Sequence, residues 1–266
     1  MNREIMSYFN LNRNPFDKEI STENLHLLPS IEKYIKSLEL LIETKGIGIM
    51  TGKSGTGKSC IIRLLKNRLN TGLFKVLYLC HSSTTLLEFY SHICSLLGLE
   101  TRGKRGIMFR TIKDHITGLN KSQRVHPVLI IDEAHMLNND ILQEIRLLTN
   151  FEIDSYNAIT ILFCGHESLN MKLGLSILES LANSITINIT VDSLNKEEAF
   201  SYIEKRISSC GNSNKIFTNN ALTLIHQSSG GIFRVMNKIA LASLVKAYLS
   251  KSSTVEVEHV KSSIER

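Results

Sequence analysis

A chain of 266 residues that is 42% hydrophobic carries enough apolar side chains for a full core, which excludes a disordered polymer. Its formal charge of +6 and pI near 9.0 permit an anionic partner without requiring one. The apolar runs, such as residues 128–131, fall far short of the roughly 18 residues of a membrane span, and residues 1–9 lack the apolar block of a signal peptide. We therefore expect a cytoplasmic protein with no membrane partner. The five cysteines (Cys60, Cys80, Cys94, Cys164, Cys210) are odd in number, widely spaced and set among apolar neighbours, so reduced thiols are expected rather than disulfides or a metal site.

Residues 1–45 read as an N-terminal arm and a leading helix. From residue 46 to about 190, apolar runs alternate with amphipathic stretches, the pattern of an α/β domain whose parallel sheet is covered by helices. Strands are predicted at 47–51, 75–80, 125–132, 159–164 and 185–190. The first ends in Gly52-Lys53-Ser54-Gly55-Thr56-Gly57-Lys58-Ser59 and an apolar helix follows. That is a phosphate-binding loop: its glycines let backbone N–H groups face inward, and the positive end of the following helix adds to them. Lys58 would reach the β- and γ-phosphates of a nucleotide, and the Ser59 hydroxyl would ligate Mg²⁺. Cys60 follows directly and is counted with the loop, core packing being the alternative to reactivity.

Next, Thr85-x-x-Glu88 has the form of a capping box, with Gly98 as the helix stop. Residues 100–124 hold seven basic side chains (Arg102, Lys104, Arg105, Arg110, Lys113, Lys121, Arg124) against Glu100 and Asp114. A solvated helix face with a basic hairpin and a DNA-phosphate contact are both open readings of this segment. The run Val128-Leu129-Ile130-Ile131 ends in Asp132-Glu133, about seventy residues after the loop, as a Walker B segment does. Asp132 would hold Mg²⁺ through water and Glu133 would polarise the water attacking the γ-phosphate; the alternative is a helix-capping Asp132 and a solvated Glu133. Asp132-Glu133-Ala134-His135 also spells a helicase box, but such helicases need two RecA-like domains. Asn138 or Asn139 would cap the next helix, and the strand at 159–164 ends in Gly165-His166. In P-loop ATPases a polar residue here can contact the γ-phosphate, so His166 is a candidate sensor, mere exposure being its alternative.

After a boundary near Asp192 the periodicity becomes helical, which divides the chain into the arm (1–45), the ATPase α/β domain (46–192) and a small all-α lid (193–266). Asn195 with Glu198 caps one helix, Thr218 opens another ending at Gly230-Gly231, a longer one runs from 232 to about 249, and 255–264 adds a fourth. Asn195-Lys196-Glu197-Glu198 lacks the last Asp of the guanine signature, so ATP is expected. Arg234 stands in the first turn of a helix, against the dipole; an anionic partner such as a γ-phosphate would remove that conflict.

This order of parts resembles an AAA+ ATPase, and more closely the ExeA-like group, which includes transposition helper ATPases of the TniB and phage Mu B type. The resemblance is carried by Tyr8-Phe9-Asn10-Leu11, Asn14-Pro15-Phe16-Asp17, the phosphate loop, Ile131-Asp132-Glu133-Ala134-His135, Arg146-Leu147-Leu148-Thr149-Asn150-Phe151-Glu152 and Ile216-Phe217-Thr218. It implies ATP-dependent self-association into an oligomer or filament on double-stranded DNA, recruitment of a transposase, and release on hydrolysis. Other members act in secretion with a membrane span and a cell-wall-binding region appended, and the length of this chain favours the transposition role as an expectation. Pro15 and Phe16 are candidates for lining the adenine pocket, packing of the arm onto the core being the alternative. Where the family usually carries Gln-Arg-Ile, this chain has Asn183-Ser184-Ile185, so the arginine that would enter a neighbour's site is missing. Slow hydrolysis or a substitute follows; Arg146 is a candidate, an outer-face helix position or a structural salt bridge being its alternatives.

Overall fold

The computed structural model describes residues 1–17, 27–80, 85–153 and 155–265. The chain divides into two compact units. One holds Lys33–Ser54 and Lys58–Val191; the other holds Met1–Glu32, Gly55–Gly57 and Asp192–Arg266. Helices α1 (Arg3–Tyr8) and α2 (Pro29–Glu43) open the chain, and α2 crosses from one unit to the other.

The first unit is built on a parallel sheet of β1 (Ile47–Thr51), β2 (Phe74–Leu79), β3 (His126–Ile131), β4 (Thr160–Gly165) and β5 (Ile185–Thr190), in the order β2-β3-β4-β1-β5. The expected α/β class with a parallel sheet is therefore observed, each strand lying within one or two residues of its predicted limits. Every residue of β1, β3 and β4 is buried, because helices cover both faces of a parallel sheet; that is why these strands are unbroken apolar runs rather than alternating ones. At Gly48 an added Cβ would lie 2.4 Å from a Leu41 methyl, so the glycine lets α2 close on β1.

Between the strands run α3 (Lys58–Arg68), α4 (Leu86–Leu97), α5 (Arg105–Gly118), α6 (Asn139–Thr149), α7 (Ser168–Leu173) and α8 (Glu179–Asn183). Thr85 and Glu88 cap α4 reciprocally, and Gly98 ends it in the left-handed conformation. Phe89, Tyr90 and Ile93 of α4, Met108, Ile112 and Ile116 of α5, and Ile141, Leu142 and Ile145 of α6 join Leu129, Ile131, Ile161 and Phe163 in one core. That core fixes the C-terminal ends of β1, β3 and β4.

In the helical unit α9 (Lys196–Ser208), α10 (Asn219–Ser229), α11 (Phe233–Leu249) and α12 (Val257–Ile264) follow one another. Asn195 caps α9 by accepting the Glu198 N–H at 2.8 Å, and Thr218 caps α10 through the Ala221 N–H at 3.3 Å. Gly231, at φ +71°, ends the turn between α10 and α11; a Cβ there would sit 2.2 Å from the Leu194 carbonyl oxygen, so no larger residue fits. The arm packs within this unit. Asn212 donates to the Phe9 carbonyl at 2.6 Å, Arg206 donates to the carbonyls of Pro15 and, at 2.9 Å, Asp17, and Phe16 is buried edge-on to Phe217. No described helix is long and apolar enough to cross a membrane.

Candidate nucleotide site

The strand register decides which residues meet at the end of the sheet. Met50 pairs with Cys164 and Ile131 with Phe163, so Asp132, one step beyond β3, stands beside Cys164, and Gly52 leaves β1 at the same edge. Inserting β4 between β1 and β3 thus leaves room between the loop and the carboxylates. The buried Cys164 thiol reports the convergence electrostatically. Burial pushes it well above its usual range, the Asp132 charge adds to that, Lys58 opposes it and Glu133 raises it again.

Within the loop, the Lys58 ammonium donates to the carbonyls of Gly52 at 2.7 Å and Lys53 at 2.9 Å, which curls the chain around its own lysine. Gly55 and Gly57 have φ of +89° and +98°, conformations that L side chains rarely adopt, so the glycines of the motif are required by its backbone. Thr56 is buried; Lys53, Ser54 and Ser59 are exposed. Cys60 is half-buried, and Arg63 donates to its sulfur at 3.4 Å. In the helical unit, which includes Gly55, the Arg234 N–H donates to the Gly55 carbonyl at 3.3 Å. A Cβ on Gly55 would lie 3.6 Å from the Arg234 Nε, so both backbone and side chain of Arg234 run beside this residue.

Asp132 is 6% exposed and both its oxygens accept hydrogen bonds: Oδ1 from the Glu133 N–H at 2.9 Å, Oδ2 from the Tyr78 hydroxyl at 2.6 Å. Burial pushes the Tyr78 phenol well above its usual range and the Asp132 carboxylate adds to the shift. Glu133 is exposed and adopts φ +53°, a left-handed conformation that costs a non-glycine residue about 1 kcal/mol or more. Its turn begins the 3-10 segment Ala134–Met136 and aims the carboxylate out of the strand. The His135 Nδ1 lies 3.4 Å from the Glu133 carboxylate and accepts the His166 N–H at 3.3 Å. The His166 ring itself accepts the Ser168 N–H at 3.4 Å, at the start of α7. Helix α7 ties the end of β1 to the turn after β3, since Asn170 donates to the Thr51 hydroxyl at 3.2 Å and Lys172 to the carbonyls of His135 and Leu137, both at 2.7 Å.

The donor set fits a hard divalent cation with its waters: a buried carboxylate with both oxygens oriented, and an exposed hydroxyl at Ser59, with no thiol or imidazole required. Sequence reasoning did not find Tyr78, Asn170 or Lys172. A tyrosine in a strand is unremarkable until its neighbour strand is known, and the other two act on partners distant in sequence. Ser184 donates to the Leu181 carbonyl at 2.7 Å and lines, with Arg146, Ser176, Ile177, Glu179, Ser180 and Asn183, an open cavity of about 670 Å³.

The fold is that of the P-loop class with an additional strand, β4, between the loop strand β1 and β3. The AAA domain family matches residues 41–173, and the chain belongs to that family. It is 28% identical over 251 residues to General secretion pathway protein A of Aeromonas hydrophila, a match that covers 93% of this chain and 46% of that protein, so the chain spans less than half its length. Among solved structures, Cdc6p of Pyrobaculum aerophilum shares the fold with a TM-score of 0.68 at 20% identity, covering 94% of this chain and 69% of that one. A Drosophila ORC chain from a structure of the complex bound to DNA gives 0.72 at 18% identity, covering 99% and 67%.

Proposed function

We propose that this chain binds ATP with Mg²⁺ at residues 52–59 and hydrolyses it slowly, using the nucleotide state to change its hold on partner macromolecules. The strand register that brings Gly52 at the end of β1 and Asp132 at the end of β3 to the same edge of the sheet, on either side of Cys164, carries this reading. The loop N–H groups and the start of α3 hold the phosphate chain, Lys58 neutralises its outer phosphates, and Asp132 with Ser59 holds the cation. The cation supplies charge neutralisation and alignment of the terminal phosphate. Glu133 takes the proton of the attacking water. Arg234 and His166 are the groups we assign to sensing the γ-phosphate, and Pro15 and Phe16 remain the arm residues we assign to the adenine side. The direct test is multiple-turnover phosphate release. Release from the intact chain that is lost in Glu133→Gln supports the reading, and unchanged release in that variant refutes the role of Glu133.

For the partner, the relation to General secretion pathway protein A along 93% of the chain favours a protein partner in a secretion assembly, engaged in one nucleotide state. A second reading, a transposition helper that assembles on double-stranded DNA and recruits a transposase, draws on the exposed Arg102, Lys104, Arg110 and Arg124. Three other cations of that segment have internal partners: Arg105 pairs with Glu144, Lys121 with Glu152, and Lys113 donates to the Asn150 carbonyl. Binding to duplex DNA with an ATP analogue separates the two readings. If four cations meet phosphates, the logarithm of affinity falls against log salt with a slope of about −3.6, and salt-insensitive or absent binding leaves the protein-partner reading.

A further inference from the structure

The hydroxyl of Tyr78 reaches the Asp132 carboxylate although the residue stands on a neighbouring strand. Strand β2 pairs with β3 in the register Tyr78↔Ile130 and Leu79↔Ile131, and the Leu79 carbonyl accepts the Asp132 N–H at 2.8 Å. β2 therefore holds Asp132 twice, by its backbone and by its side chain. A strand-end carboxylate rotates readily about its last bond. Here the Glu133 N–H on Oδ1 and the Tyr78 hydroxyl on Oδ2 fix its plane from opposite ends. The 2.6 Å separation lies in the range of a charge-assisted O–H···O⁻ bond, roughly twice as strong as a neutral one. Tyr78 is 41% exposed while Asp132 is 6% exposed, so the phenol sits on the rim of the sheet with its hydroxyl turned inward to the carboxylate.

We propose that Tyr78 is a positioning residue for the divalent cation: its hydroxyl orients the Asp132 carboxylate so that the remaining lone pairs face the ion's water shell. The inference rests on the assignment of Asp132 to the cation. Outer-shell partners of metal-binding side chains typically contribute about 10–100-fold in metal affinity, and this one sets the carboxylate plane without touching the ion or the nucleotide.

The test is the Mg²⁺ concentration that gives half-maximal binding of a fluorescent, non-hydrolysable ATP analogue, in the intact chain, Tyr78→Phe and Asp132→Asn. Tyr78→Phe keeps the ring and removes only the donor, so the variant should still fold cooperatively, with a melting temperature lowered by no more than the loss of one hydrogen bond to a charged acceptor. The midpoint for Mg²⁺ should rise by about tenfold or more, with binding of the metal-free analogue unchanged. A Tyr78→Phe titration that overlays the intact chain while Asp132→Asn shifts overturns the role of Tyr78 alone. A weakening equal with and without Mg²⁺ also overturns it, because the residue then serves the fold or the nucleotide rather than the ion. If Asp132→Asn leaves the midpoint unmoved, the cation assignment itself falls and takes this inference with it.

Discussion

Arg105 pairs with the buried carboxylate of Glu144, which also accepts the hydroxyl of Tyr90, so one charge ties α4, α5 and α6 together. Burial raises the Tyr90 phenol to about 12, with the nearby Arg105 charge opposing the shift. Arg105 thus serves the core, though by composition it belongs to the basic segment. Arg105→Met removes a charged hydrogen bond to a buried acceptor, and we expect a loss of about 1–3 kcal/mol in urea denaturation. The salt slope of any DNA binding should stay as it is in this variant and flatten in an Arg102→Ala/Arg110→Ala variant. A shallower slope in Arg105→Met would place the residue at the phosphates instead.

Glu133→Gln keeps the size and turn of the residue but removes the base. Nucleotide affinity, read by fluorescence titration, should be near that of the intact chain, while phosphate release falls by about 10²–10⁴-fold. A variant that loses binding and turnover together would show that Glu133 serves the loop rather than the water.

His126 is buried at the start of β3, its Nδ1 on the Asn120 side-chain oxygen at 3.1 Å and its Nε2 on the Thr160 hydroxyl at 3.0 Å. Asn120 uses its amide nitrogen on the carbonyls of Ile116 and Ala158, so its oxygen accepts, and the imidazole is neutral with the proton on Nδ1. Burial, aided by Lys45, depresses its pKa from 6.5 to about 4. The unfolded chain then binds the extra proton first, so stability is complete above the unfolded value and declines as pH falls towards the folded one. Each pH unit in that window costs up to about 1.4 kcal/mol. Thermal melts between pH 7 and 4 should show this slope in the intact chain and a smaller one in His126→Gln; equal slopes would assign the acid sensitivity elsewhere.

Arg146 and Ser184 line the same cavity, and Arg146 also donates to the Thr149 hydroxyl at 3.2 Å within its own helix. If Arg146 replaces the arginine absent at Ser184, Arg146→Ala should depress phosphate release only where subunits associate, approaching the roughly 10³-fold scale of arginine fingers. Release per subunit measured across a protein dilution series checks this. A concentration-independent deficit would assign Arg146 to the fold.

Much of this architecture is legible in the chain because burial on two faces leaves a simple trace: β1, β3 and β4 are apolar at nearly every position. The phosphate loop and Asp132-Glu133 are legible for another reason, since local backbone chemistry demands those residue types in that order. Helix α5 is less so. Met108, Ile112 and Ile116 recur four apart, yet they lie among Arg105, Arg110 and Lys113, and the charges suggest a surface before the period suggests a core. Tyr78, Asn170 and Lys172 acquire meaning only through strand order and register, which no local pattern encodes. The Glu144 carboxylate is hidden similarly: in an amphipathic helix it reads as solvated, and its partners are dozens of residues away.

The placement of Cys164 gives the protein a built-in probe. Its sulfur is enclosed at the centre of the sheet, whereas Cys80 lies exposed at the sheet's rim and Cys60 is half-buried behind the loop. A thiol reagent should consume Cys80 promptly and reach Cys164 only when the central strands part, so its labelling rate measures the free energy of that opening. Comparing the rate with and without nucleotide would turn occupancy of the site into a chemical clock read on a native thiol, with no residue changed.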